Sequence, residues 1–133
     1  MVKNRILVVE DEESLLKLES ILFTSKGYLV TGVRDGNSAL EAIIESRPDL
    51  VVLDVMLPGL DGFQVCRAIK DNPETCSIPV VMLTAKKSSM DLERGRLAGA
   101  DAYLTKPFKS VKVLEVIGGL LGGVNLGIGG RPV

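Results

Sequence analysis

The chain has 133 residues, enough for one domain with a single substantial core. Hydrophobic residues make up 46% and charged residues 25%, the balance of a soluble folded protein, and a formal net charge of −1 offers no basic face for nucleic acid or an anionic membrane. Histidine is absent, which excludes Ser-His-Asp and Cys-His catalysis, the common zinc sites and a histidine general base.

The opening segment MVKNRILVVEDE lacks the long apolar stretch of a signal peptide. No apolar run reaches membrane-spanning length, so the expected compartment is the cytoplasm. A first strand is predicted at ILVV (6–9), and Glu10, Asp11, Glu12 and Glu13 follow it at once. Helical spacing comes next, with Leu15, Leu18, Ile21 and Leu22 assigned to one face and Gly27 closing the helix. The second apolar run, YLVTGV (28–33), ends blandly in VRDGNS, a turn leading to a helix with Leu40, Ile43 and Ile44 on its apolar face and the breaker RPD (47–49) behind it. The third, LVVL (50–53), delivers Asp54. PGLDG (58–62) is chiefly turn chemistry, and Asp61 and Gln64 have the spacing of a capping box for a helix carrying Val65, Ala68 and Ile69. The fourth run, IPVVML (78–83), delivers Thr84 and precedes a weakly periodic helix near Ser89–Leu97. The fifth, AYL (102–104), delivers Lys106 and Pro107. A last helix has Val113, Val116, Ile117, Leu120 and Leu121 on one face.

Five alternations of strand and helix predict an α/β three-layer sandwich with a parallel five-stranded sheet and five helices. The runs are nearly continuous rather than alternating, as expected of strands covered on both faces. Cys66 and Cys76 do not form a C-x-x-C pair and read as buried or incidental thiols. Residues 1–121 are expected to form the domain. Seven of the fourteen glycines fall in 118–133, and residues 122–133 are read as a flexible Gly-rich tail without function.

Parallel strands point their carboxyl ends the same way, and the ligand crevice of an open α/β sheet lies there. Glu10, Asp11, Asp54, Thr84 and Lys106 therefore converge on one rim. Crowded carboxylates must be held by protons or a cation. With no histidine in the chain and no cysteine on this rim, a hard oxygen-ligated ion fits: Mg²⁺, with Mn²⁺ as the alternative. Acids, a divalent cation, a lysine and a hydroxyl describe a site for receiving a phosphoryl group on an aspartate.

At this point the sequence resembles the receiver domain of bacterial two-component response regulators. The resemblance is carried by ILVVEDE (6–12), PDLVVLDVMLPGLDG (48–62), IPVVMLTA (78–85) and GADAYLTKPF (99–108), in that order. It implies a flavodoxin-like sheet of order 2-1-3-4-5 and a phosphoacceptor at Asp54 that attacks a phosphohistidine on a partner kinase or phosphotransfer protein. It further implies Mg²⁺ on the carboxylates of Asp11 and Asp54 and the backbone carbonyl of Met56, with Glu10 acting through a bound water. Lys106 would bridge Asp54 and the phosphoryl group, and the Lys106–Pro107 bond is often cis in such proteins. Thr84 and Tyr103 would form the switch, altering the face of the fourth helix, fifth strand and fifth helix, which could also serve a phosphorylation-dependent homodimer. The output would be a protein target or a further domain of a longer parent. No helix-turn-helix follows residue 121, so direct nucleic-acid binding is not expected; nor is membrane association, since no apolar run is of spanning length. Many relatives carry two aspartates where this chain has Glu10 and Asp11.

Simpler readings compete with these roles. Asp54 alone would be an ordinary loop aspartate, but matched polar residues at four strand ends outweigh that. Glu12 and Glu13 are better explained as acids complementing a helix dipole, and Lys86 and Lys87 as a solvated pair. Two other functions use related parts. An Mg²⁺-dependent aspartate-nucleophile phosphatase would want a second aspartate where Met56 stands. A flavin mononucleotide carrier would want a Ser/Thr-rich loop where EDEE would repel phosphate.

Overall fold

The computed structural model describes residues 3–122. In chain order it contains β1 (Arg5–Val9), α1 (Glu13–Thr24), β2 (Leu29–Val33), α2 (Gly36–Ser46), β3 (Leu50–Leu53), α3 (Gly62–Asp71), β4 (Val80–Thr84), α4 (Ser89–Ala98), β5 (Ala102–Thr105) and α5 (Ser110–Gly122). The five strands form one parallel sheet in the order β2-β1-β3-β4-β5, as expected. Apart from Gly122, which ends α5, the expected tail lies outside the described residues.

Strand alternation divides the core in two. Leu7, Val9, Val51, Leu53, Val80 and Met82 face α2, α3 and α4, where they meet Ile43, Phe63, Val65 and Ile69. Ile6, Val8, Leu50, Val52, Val81 and Leu83 face α1 and α5, where they meet Phe23, Val113 and Ile117. Each of these three strands is therefore apolar on both sides, which explains the unbroken apolar runs. The second run departs from that expectation. As an edge strand β2 is covered less, and Leu29 is half exposed.

Two helix faces differ from the periodicity reading. On α1 it is Leu16, Glu19, Leu22 and Phe23 that turn to the sheet, whereas Leu18 and Ile21 are 53% and 62% exposed. A carboxylic acid in the middle of the buried arc hides that arc from any count of apolar spacing. On α2, Ala39 and Ile43 are buried but Ile44 is 49% exposed.

The helix ends follow local chemistry. Asp35 accepts from the Ser38 amide at the start of α2, and Asp61–Gln64 and Ser88–Asp91 form full capping boxes on α3 and α4. Gly99 ends α4 at φ 94, a left-handed conformation that suits glycine. At the start of α1, by contrast, Glu12 makes no side-chain cap.

Candidate functional site

The sheet ladder continues one residue past the strands. The Glu10 amide donates to the Val33 carbonyl at 3.0 Å and the Asp54 amide to the Val9 carbonyl at 3.0 Å, so the two acids stand side by side at the carboxyl rim. Glu10, Asp54 and Lys106 each lie two positions beyond a residue packed toward α1 and α5, namely Val8, Val52 and Leu104. Pleating therefore sends all three side chains to the same side.

They meet there. The Lys106 ammonium donates to Glu10 Oε1 at 2.6 Å and to Asp54 Oδ2 at 2.8 Å. The remaining oxygens take amides of their own loops: Glu10 Oε2 accepts from Glu12 and Asp54 Oδ1 from Met56. All three groups are largely out of water, with side-chain exposures of 4% for Glu10, 8% for Asp54 and 14% for Lys106. Burial pushes the Glu10 carboxyl above its ordinary range, and the Asp54 charge adds to this, while Lys106 pulls it back. For Lys106 the balance runs the other way. Burial opposes its charge, but its hydrogen bonds to Asp54 and Glu10 outweigh that and hold the ammonium above its ordinary value. The Lys106–Pro107 peptide bond is cis.

Asp11 lies on the same rim with its side chain exposed. Its backbone carbonyl accepts two bonds from Arg34, from Nε at 2.9 Å and Nη2 at 2.7 Å. Arg34 follows β2, the strand whose end looked bland in the sequence. Its position at the carboxyl end of a strand was the signal available for it.

Thr84 and Tyr103 belong to the other side of the sheet, since Met82 and Tyr103 pack toward α3 and α4. Thr84 is buried, and its hydroxyl accepts from the Lys86 amide at 3.3 Å. Tyr103 donates its hydroxyl to the Lys86 carbonyl at 2.7 Å, and partial burial raises its phenol pKa. Both side chains thus grip one residue, through its backbone. The sequence reading of Lys86 as a solvated side chain could not reveal that, because any residue supplies those two atoms. The Tyr103 ring also lies over Gly95, where an added Cβ would come within 2.6 Å of it.

Glu19 is the other participant that periodicity missed. Its side chain is buried on α1, and Oε2 is the buried side-chain polar atom without a hydrogen-bond partner among the described residues. Burial, then the charge of Glu10, push its carboxyl up to about 8.

Among the described residues no three acidic or sulfur-bearing side chains gather into a ready-made metal cage. The site nonetheless suits Mg²⁺, which takes one or two carboxylates and fills its octahedron with waters and phosphate oxygens. The donors on offer are all hard oxygens: the Glu10 and Asp54 carboxyl groups, which share one ammonium, and the exposed carboxyl of Asp11 beside them. Cys66 and Cys76 are both free, the first buried and the second exposed, as the sequence suggested.

Comparison with known proteins agrees with this geometry. The family model described as the response regulator receiver domain matches residues 6–118. The DNA-binding response regulator MtrA of Mycobacterium tuberculosis (strain ATCC 25618 / H37Rv) is 45% identical over 107 residues, which is 80% of this chain and 46% of that protein. The transcriptional regulatory protein CseB of Streptomyces avermitilis is 40% identical over 119 residues, 90% of this chain and 49% of that one. The chain thus spans about half the length of these curated relatives. Among solved structures, the receiver domain of a signal transduction histidine kinase from Syntrophus aciditrophicus superposes with a TM-score of 0.86 at 33% identity, covering 97% of this chain and 98% of that one. The receiver domain of sensor histidine kinase PA1611 from Pseudomonas aeruginosa PAO1 gives 0.85 at 32% identity, covering 92% and 100%, and holds a magnesium ion in its active-site cleft. A charged triad at the rim of a 2-1-3-4-5 sheet, a family match over most of the length and relatives of this similarity lead to one conclusion: the chain belongs to the response regulator receiver domains, the phosphoacceptor modules of two-component systems.

Proposed function

We propose that Asp54 accepts a phosphoryl group from a partner histidine kinase or phosphotransfer protein. The reading rests on one observation above others: Lys106 holds Asp54 Oδ2 and Glu10 Oε1 together inside a largely buried rim. An Asp54 oxygen forms the new O–P bond as the P–N bond of the donor phosphohistidine breaks, and the imidazole leaves with the bonding pair and takes up a proton. These 133 residues contain no histidine, so the group comes from a donor outside them, for which a small acyl phosphate can substitute.

Asp11 and Asp54 would hold Mg²⁺ through their carboxylates and Met56 through its carbonyl, with Glu10 acting through a water. The ion, when bound, supplies charge neutralisation for the incoming phosphoryl oxygens. Lys106 keeps its hold on Asp54 and turns its remaining donors to the phosphoryl group. Thr84 gives up the Lys86 amide to donate to a phosphoryl oxygen, and Tyr103, bonded to the same residue, responds with it. The surface that changes is that of α4, β5 and α5, the helices of which expose Leu92 and Val111 to a partner or a second copy. In a longer parent the partner would be a further domain, as in the DNA-binding relatives.

Intact-mass spectrometry after incubation with acetyl phosphate tests this directly. One phosphoryl adduct is expected, dependent on Mg²⁺ and lost in Asp54→Asn. Persistence of the adduct in that variant would overturn the assignment.

A further inference from the structure

The loop carrying Glu10 and Asp11 is fixed from outside. The first turn of α1 lacks the side-chain cap that secures α2, α3 and α4. Two contacts instead fix the segment just before it. Glu10 Oε2 accepts the Glu12 amide, and Arg34 places Nε and Nη2 on the carbonyl oxygen of Asp11, the residue between them. Arg34 is itself well anchored. The Val33 carbonyl before it accepts the Glu10 amide, and Asp35 after it caps α2 by bonding the amide and hydroxyl of Ser38. Its ion pair among the described residues is with Glu13, 3.9 Å from Nη1, and both side chains are exposed. A surface ion pair of that kind is worth little. The two bonds to a backbone oxygen are therefore the specific feature, and a planar guanidinium is the side chain that can make both.

We propose that Arg34 is a positioning residue for Asp11: by gripping the Asp11 carbonyl it fixes the peptide from which that carboxylate projects, and so sets the affinity of the rim for its divalent cation. The inference rests on the reading of Asp11 as a ligand of that cation. Groups that orient metal ligands commonly change affinity by roughly 10- to 100-fold, and an exposed clamp on the backbone belongs at the low end of that range.

Charge and geometry predict opposite signs here. Arg34 is a cation beside a cation site, so a purely electrostatic role means that removing it tightens Mg²⁺ binding. A positioning role means that removing it weakens binding. The experiment titrates MgCl₂ against thermal midpoint for the wild type, Arg34→Ala, Arg34→Lys and Arg34→Gln, and extracts an apparent Kd from the stabilisation. Arg34→Ala is expected to raise Kd about tenfold, and Arg34→Lys to raise it nearly as much, because the charge remains while the fork is lost. Arg34→Gln, neutral but still a donor, should lie between Arg34→Ala and the wild type. The same variants labelled with acetyl phosphate should need more Mg²⁺ for half-maximal rate yet reach the wild-type rate at saturation. Midpoints without Mg²⁺ should stay close to wild type. Tighter or unchanged binding in Arg34→Ala overturns the proposal, and so does wild-type affinity in Arg34→Lys. Loss of all Mg²⁺-dependent stabilisation in the wild type would instead remove the metal reading beneath it, and Asp11→Asn provides that comparison.

Discussion

Burial of Glu19 ties the stability of the fold to pH. Its carboxyl is raised from 4.5 to about 8, first by burial, then by the charges of Glu10 and Asp54, with Lys106 opposing. Between about pH 4.5 and 8 the folded chain keeps a proton on Glu19 that the unfolded chain releases. Stability from this group is thus fully present below that window and falls as pH rises through it, by up to about 1.4 kcal/mol per pH unit. Glu10, also raised, adds in the same direction. Glu19→Leu fits the apolar arc of α1 and removes a polar atom without a partner. Urea denaturation should show it more stable than wild type by about 1–3 kcal/mol near neutral pH, with a flatter slope against pH. An unchanged slope would assign the pH response elsewhere. Lys106 is the opposite case. Lys106→Met leaves two largely buried carboxyls facing each other without their cation, and a loss of about 3–5 kcal/mol is expected in the same assay.

Helix α3 supports the rim through its first residue. Gly62 opens it, its amide donating to the Val55 carbonyl at 2.8 Å, and a Cβ there would run into the Asp54 carbonyl and crowd Val55 Cα. Helix propensity alone predicts that Gly62→Ala gains up to about 1 kcal/mol. The close approach predicts a loss of about 1–3 kcal/mol, together with slower acetyl phosphate labelling, because the backbone bearing Asp54 must shift. Thermal or urea unfolding distinguishes the two by sign. The capping box on α3 was legible because its spacing is local and its chemistry short-range. The buried face of α1 was not, since Glu19 breaks the apolar count and Leu18 and Ile21 imitate it on the wrong side. Nor was the grip on Lys86, which uses only main-chain atoms.

Across the whole molecule, topology makes the site. Order 2-1-3-4-5 puts β1 beside β3, so Glu10 and Asp54 become neighbours although 44 positions separate them in the sequence. Lys106 then reaches past β4 from the end of β5 to hold both, tying residues 96 and 52 positions apart. These residues could be read from the sequence because each lies within two positions of the end of an apolar run, and parallel strands carry such positions to one rim. Arg34 occupies the same kind of position but acts on a carbonyl, which leaves no trace in residue type. Pleating then separates the charged triad, on the α1 and α5 side, from Thr84 and Tyr103 on the α4 side.

The two cysteines offer a practical handle. Cys66 is buried against the Ala98 carbonyl, and burial pushes its thiol up to about 11, whereas Cys76 is exposed in the turn before β4. A thiolate-directed dye at neutral pH should therefore attach once, at Cys76, and mass spectrometry of the labelled chain would show a single adduct. Because strands enter the sheet at that end and deliver their chemistry at the other, the label sits across the sheet from Asp54. It gives a tether or optical reporter that leaves the charged rim untouched.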